Sequence, residues 1–276
     1  MSRVNTGYTG ILEGPEGLIR CTDFNVIRQQ EVLFYDHVIG LVDTIPSGIE
    51  TKGEDTTINI QKTIERPGVK LVSGGLAFPV TEENSSAFFE EVKRGQWFDF
   101  TFDYSCGDGA FQFRDCRVNS YTFSATAGDI ATVSVDIMGK DYKALSYLGN
   151  YQDAQKLMTW DKIKIEGVPG NNGIVSFTFT VNNNLMPIYT AKENKDKSLK
   201  PFDIRVGMQS VTGSVTVYKN NDEFEFDLSQ PVQLKLTVPG FTTPINVVFK
   251  PSQPVGSVGP IITTLLFVGY DKVFGE

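Results

Sequence analysis

The residues able to do chemistry are few, and they do not converge. His37 is the only histidine in the 276-residue chain. It lies inside V-L-F-Y-D-H-V-I-G with no recognisable nucleophile motif around it, and without it no Ser–His–Asp or Cys–His pair can be built. A partly buried strand histidine is the expected role. The acidic pairs Asp99/Asp103 and Glu90/Glu91 have the chemistry of acid–base partners. Asp99 and Asp103, however, lie two alternations apart on the polar side of a strand, which predicts a solvated sheet surface. Cys106 and Cys116 are ten residues apart with no histidine nearby, so small semi-buried side chains are expected rather than metal ligands. S-C-G-D-G, Ser105 to Gly109, reads as a hairpin turn. The chain has no P-loop, no G-x-G-x-x-G opening a helix and no H-E-x-x-H. No catalytic residue, cofactor or metal is expected, and the chain reads as a non-enzyme.

Composition narrows the class further. Twenty-five basic against 33 acidic residues give a formal net charge of −8. That excludes a protein gripping nucleic-acid phosphate through a basic face, while allowing one that lets nucleic acid pass without holding it. Three cysteines, an odd and sparse count, fit a reducing compartment better than a disulfide scaffold. The amino end has no apolar core run, so no signal peptide is expected. Leu265–Val268 is far too short to span a membrane.

The elements that would position these residues are mostly strands. Leu18–Gly40 reads as two strands around a polar corner, and Leu41–Thr56 as a loop marked by Pro46-Ser47-Gly48. Thr57–Arg66 alternates Ile58, Ile60 and Ile64 against Thr57, Asn59, Gln61 and Thr63. One helix is predicted from Thr81, as N-cap, to Gly95, with Glu82 and Glu83 in its first turn and Ala87, Phe88 and Val92 on its apolar stripe. Phe98, Phe100, Phe102 and Tyr104 then alternate with Asp99, Thr101 and Asp103. A phase change near Asp115 predicts a bulge. Ala131, Val133, Val135 and Ile137 oppose Thr132, Ser134 and Asp136.

Tyr142–Thr159 breaks this periodicity and places a domain boundary there, giving residues 1–150 and 151–276. In the second half Val175–Val181 is a strand, Asn182–Lys200 a long lysine-rich loop, and Pro201–Tyr218 a second alternating region containing Gly207 and Gly213. Loops of that length without structure of their own usually carry function. Glu223–Leu228, Val232–Val238, Pro244–Phe249 and Ile261–Val268 are further strands. Thr57–Phe78 lines up by pattern with Phe202–Tyr218, the signal of an internal duplication; chance likeness between two β meanders is the alternative. The polar faces share one character: Thr57, Asn59, Gln61 and Thr63, then Ser176, Thr178 and Thr180, then Gln209, Thr212, Ser214 and Thr216 are short, uncharged and hydrogen-bonding. A wet face of any antiparallel sheet explains this plainly; a channel lining explains it more sharply.

The run V-S-F-T-F-T-V-N-N-N-L-M-P-I-Y-T, its lysine-rich loop and I-R-V-G-M-Q-S-V-T-G-S-V-T-V-Y resemble the tail tube (major tail) proteins of tailed bacteriophages. I-N-I-Q-K-T-I-E-R-P-G-V-K-L-V-S-G-G-L-A-F-P-V resembles the same element of that family. The resemblance implies a mainly β fold of two tandem β-sandwich or barrel domains, with one flanking helix in the first half. It implies trimeric, pseudo-hexameric rings that stack into a tube, a virion tail location after assembly in the host bacterial cytoplasm, and a lumen through which DNA is ejected without specific binding. Implied partners are further copies of the chain and other tail proteins (terminator, baseplate, sheath), with no membrane. Candidate lumen residues are then Thr57, Asn59, Gln61, Thr63, Ser176, Thr178, Thr180, Thr212, Ser214 and Thr216. Candidate inter-ring contacts are Lys192, Glu193, Lys195, Asp196, Lys197 and Lys200, for which a solvated loop is an equal alternative. An acidic wall around passing DNA repels phosphate. A trimeric baseplate hub or distal tail adaptor is a rival within tails. A carbohydrate-binding sandwich, stacking sugars on Trp97, Trp160 or Tyr104, is a rival outside them.

Overall fold

The computed structural model describes residues 10–14, 17–30, 70–104, 110–145, 156–168, 173–189, 200–219, 230–250, 261–269 and 274. The described residues are mainly β, with one short α-helix. The first half carries β1 (Gly10–Gly14), β2 (Gly17–Cys21), β3 (Asp23–Phe24), β4 (Ile27–Gln30) and β5 (Lys70–Pro79). The helix α1 (Phe89–Arg94) follows, then β6 (Phe98–Tyr104), β7 (Ala110–Thr126) and β8 (Thr132–Leu145). The second half carries β9 (Lys164–Glu166), β10 (Ile174–Asn182), β11 (Met186–Ile188) and β12 (Asp203–Arg205). It ends with β13 (Ser210–Lys219), β14 (Val232–Val238), β15 (Phe241–Lys250) and β16 (Ile261–Gly269).

Every described strand pairing is antiparallel, and among the described residues the large sheet does not close into a barrel. Its pairings follow one order in each half. β4, β5, β8, β7, β6 and β1 are successive neighbours in the first; β10, β13, β16, β15, β14 and β9 are successive neighbours in the second. The two runs meet where the second part of β7 pairs with β10, from Ser120 opposite Asn182 to Thr126 opposite Ser176.

Alternation explains the strand faces. Ala131, Val133, Val135 and Ile137 are buried while Thr132, Ser134 and Asp136 are exposed, as a period of two requires. Along β7 from Phe113 onward the buried positions run Phe113, Cys116, Val118, Tyr121, Phe123 and Ala125, so the phase slips twice there. The first slip is the bulge expected near Asp115. Asp115 sits at φ 49°, and two β7 residues there oppose one on β6. Its N–H donates to Asp99 Oδ1 at 2.8 Å. The second, at Asn119, was not signalled by the sequence.

Three expectations are corrected. The helix does not begin at Thr81. Thr81 N–H donates to Asn84 Oδ1 and Asn84 N–H to Thr81 Oγ1, closing a local box, but turns follow, and Phe88 at φ 65° breaks the ladder before α1. That left-handed residue sends Phe88 to Phe78 and Phe98 while Phe89 turns toward Tyr121 and Phe179. Gly95, also left-handed, does end the helix. Asp103 is not on a solvated surface: it is 1% exposed, between β1 and β7. The Tyr142–Thr159 stretch is not all irregular. β8 runs on to Leu145, and Met158 is buried, its N–H donating to Val80 O and its carbonyl accepting from Ala131 N–H.

Candidate functional site

Six of the candidate lumen residues lie side by side. Ser176 is opposite Thr216, Thr178 opposite Ser214 and Thr180 opposite Thr212, all on one face of the β10·β13 pair. Their in-between neighbours Phe177, Phe179, Val181, Val211, Val215 and Val217 are buried on the other face. The local period of two thus separates a dry side from a wet one, and pairing sets the wet side in register.

Tertiary pairing extends that face beyond the expected residues. β7 places Ser124 opposite Thr178 and Thr122 opposite Thr180; β8 places Thr132 and Ser134 opposite those two. On the far side Thr264 of β16 lies opposite Thr216. Hydroxyls bond across the strands: Thr122 to Thr180 at 2.9 Å, Ser124 to Thr178 at 3.3 Å, Thr216 to Thr264 at 3.1 Å. Ser120 donates to Asp136 Oδ2 at 2.6 Å. The result is a face rich in short hydroxyl side chains across β8, β7, β10 and β13; on β16 Thr264 continues it, between the apolar Ile262, Leu266 and Val268. Small alternating polar residues on β7 were the missed signal, obscured by the phase slips at Asp115 and Asn119.

The close approach of the dry side depends on Gly213. A Cβ there would lie 2.2 Å from Phe267 Cζ and 2.3 Å from the Thr178 carbonyl oxygen. Gln209 does not join the wet face. Its amide donates to Val92 O at 3.0 Å and to Asn183 Oδ1 at 2.8 Å. Thr57, Asn59, Gln61 and Thr63 lie outside the described residues, as do His37 and Cys106.

The long loop has an ordered base. Asn182–Lys200 was expected to be without structure, yet β11 pairs with β12, from Met186 opposite Arg205 to Ile188 opposite Asp203. Asn183 pins this base to α1 and β7. Fully buried, it donates from Nδ2 to Val92 O at 2.9 Å and to Val118 O at 3.0 Å, and its carbonyl accepts from Gly207 N–H. Val92 O is one of the carbonyls that a helix C-terminus leaves without an internal donor. Lys200 Nζ lies 2.6 Å from Asp141 Oδ2 on β8, so this lysine is held at the base. Lys192, Glu193, Lys195, Asp196 and Lys197 lie outside the described residues. Around the base, Met186 is 56%, Phe202 67% and Met208 88% exposed.

Trp97 and Trp160, two of the aromatic residues of the sugar-binding alternative, do not form an open platform. Trp97 has the Arg117 guanidinium 4.0 Å and Lys140 Nζ 4.3 Å from its ring centroid, and Trp160 packs on the core. Burial of the Arg117 guanidinium lowers its pKa from the usual arginine range. The thiols of Cys21 and Cys116 are buried and free; burial, aided by Asp23, pushes Cys21 up to about 12.

Residues 61–269 of the chain match a family model described as "Phage tail tube protein". No curated protein matches the chain.

Proposed function

The chain belongs to the phage tail tube protein family, and from that premise we propose that its hydroxyl-rich sheet face lines the bore of a tube made of stacked rings. It is a structural protein of the phage tail. In this reading each chain supplies two tandem domains, residues 1–150 and 151–276, and three chains make a ring with pseudo-sixfold symmetry. DNA leaves through the bore without being held. The observation that carries the reading is the register of Ser176, Thr178 and Thr180 with Thr216, Ser214 and Thr212. A strip of short neutral groups offers passing DNA neither apolar patches to stick to nor cations to release counterions onto.

The Asn182–Lys200 loop is the arm to the next ring. Its support is the exposed Met186, Phe202 and Met208 beside its base, apolar surface of the kind that marks a protein contact.

Electron microscopy of the purified chain tests the tube: long stacked tubes are expected, and single rings alone at high concentration favour a hub or adaptor. Deleting residues 191–199, keeping Lys200 and the β11·β12 pair, is expected to leave folding intact and prevent stacking. Tubes of normal length after that deletion remove the arm assignment.

A further inference from the structure

We propose that Arg117 and Lys140, gathered on the indole of Trp97, form a binding site for a phosphate group. The site goes beyond the bore reading, because it is a property of the single chain and is tested there.

Register brings the three side chains together. Thr132, Ser134, Asp136, Met138 and Lys140 share one face of β8, with Val133, Val135 and Ile137 buried on the other. Arg117 of β7 lies opposite Met138. The two cations therefore continue the face that carries the hydroxyl residues, with Lys140 about 20 Å along β8 from Ser134. Trp97 stands just before β6, whose Phe98 lies opposite Cys116. Its ring centroid is 4.0 Å from the Arg117 guanidinium carbon and 4.3 Å from Lys140 Nζ.

Two like charges on one ring repel, and the π-face offsets only part of that repulsion. The carboxylates nearby are engaged elsewhere. Asp141 takes Lys200 at 2.6 Å, and Asp203 lies 3.8 Å from Arg205 Nε. Asp136 accepts from Ser120, and Asp99 accepts from the Asp115 N–H. Among the described residues neither Arg117 nor Lys140 has an ion-pair partner. Arg117 Nε is enclosed without an acceptor, so the donors left for a ligand are its Nη groups.

This arrangement selects phosphate over carboxylate. Stacking on the indole fixes the guanidinium plane, and its fork matches two oxygens of either anion. A carboxylate is used up by that fork, and Lys140 stays unneutralised. A phosphate has a further oxygen for the ammonium. The group comes from a nucleic-acid backbone or from free inorganic phosphate. Two contacts per chain are too few to hold DNA firmly at physiological salt, so on the bore reading the site touches passing DNA without arresting it.

The test follows the Trp97 indole N–H signal, assigned with Trp97→Phe, by NMR in the free chain. Inorganic phosphate, a short duplex DNA and polyglutamate are titrated at matched ionic strength. Phosphate or duplex is expected to move the signal to saturation, and polyglutamate to act more weakly. Arg117→Gln and Lys140→Gln are each expected to weaken binding roughly threefold or more, while Lys140→Arg keeps it, which separates loss of the site from loss of structure. For the duplex, the slope of log affinity against log salt is expected to shrink by about 0.9 for each cation removed. Tighter binding of the duplex identifies the backbone as the source; a response to inorganic phosphate alone identifies the free anion. No response to either, an equal response to polyglutamate, or Gln variants that bind as well as the unsubstituted chain overturn the site. Tube formation is scored separately by microscopy, so phosphate binding by a chain that forms no tube removes the bore reading and keeps the site.

Discussion

The ring of Phe89 lies against the ring of Phe241, centroids 4.9 Å apart and 22° from parallel. Phe89 belongs to the helix of the first half and Phe241 opens β15 of the second. The same side chain meets Tyr121, Phe179 and Phe274 edge-on. One aromatic residue therefore ties the helix to the β7·β10 junction and to the strands beyond it. Phe89→Ala is expected to cost about 3–5 kcal/mol, the usual loss for a buried aromatic in a packed core. Urea unfolding would read it as a lowered midpoint. A change under about 1 kcal/mol would show that the junction is held elsewhere.

Asn183 is the polar counterpart of that contact. Asn183→Ala leaves the carbonyls of Val92 and Val118 without its amide, at a cost of about 1–3 kcal/mol. Asn183→Asp adds a pH dependence. A buried carboxyl among carbonyls has a raised folded-state pKa, so its neutral form is tolerated below the unfolded value near 4. Stability is then expected to fall as pH rises through the folded value. Thermal melts of the two variants between acid and neutral pH would separate them.

Gly213→Ala brings a methyl into Phe267 and the Thr178 carbonyl. Overpacking of this kind costs about 1–3 kcal/mol. Adding Phe267→Leu is expected to restore only part of it, because the backbone oxygen stays in place. Full rescue by the double variant, measured by denaturant midpoint, would contradict the described β10·β13 approach.

Thr178→Cys reports where the hydroxyl face points. Stability is expected to change by less than about 0.5 kcal/mol, as at other surface sites. In the free chain the new thiol should react with small and polymer-linked maleimides alike. In assembled tubes the polymer-linked reagent should be excluded. Equal labelling before and after assembly would put this face on the outside.

Cys21 is expected to resist thiol reagents in the folded chain at pH 9, because burial holds its thiol up to about 12. The sign follows from the raised value. Its contribution to stability is complete below the unfolded pKa of about 8.5 and is lost as pH rises through the folded one. Rapid modification of native protein at pH 9, followed by mass spectrometry of the Cys21 peptide, would show the site opening locally.

What the sequence determined by itself was whatever depends on near neighbours. The faces of β8, the strand at Val175–Val181, the stop at Gly95 and the bulge at Asp115 all follow from side-chain period or a backbone preference acting within a few residues. So does the hydroxyl character of Ser176, Thr178 and Thr180. The partners of those residues could not be read that way. Thr122 meets Thr180 across 58 positions of chain, and the direct β7·β10 ladder that sets them together follows two bulges within β7. The burial of Asp103, the left-handed turn at Phe88 and the network of Asn183 and Gln209 have the same origin. Each is decided by what the fold brings up against the residue, and a linear pattern carries no record of that contact.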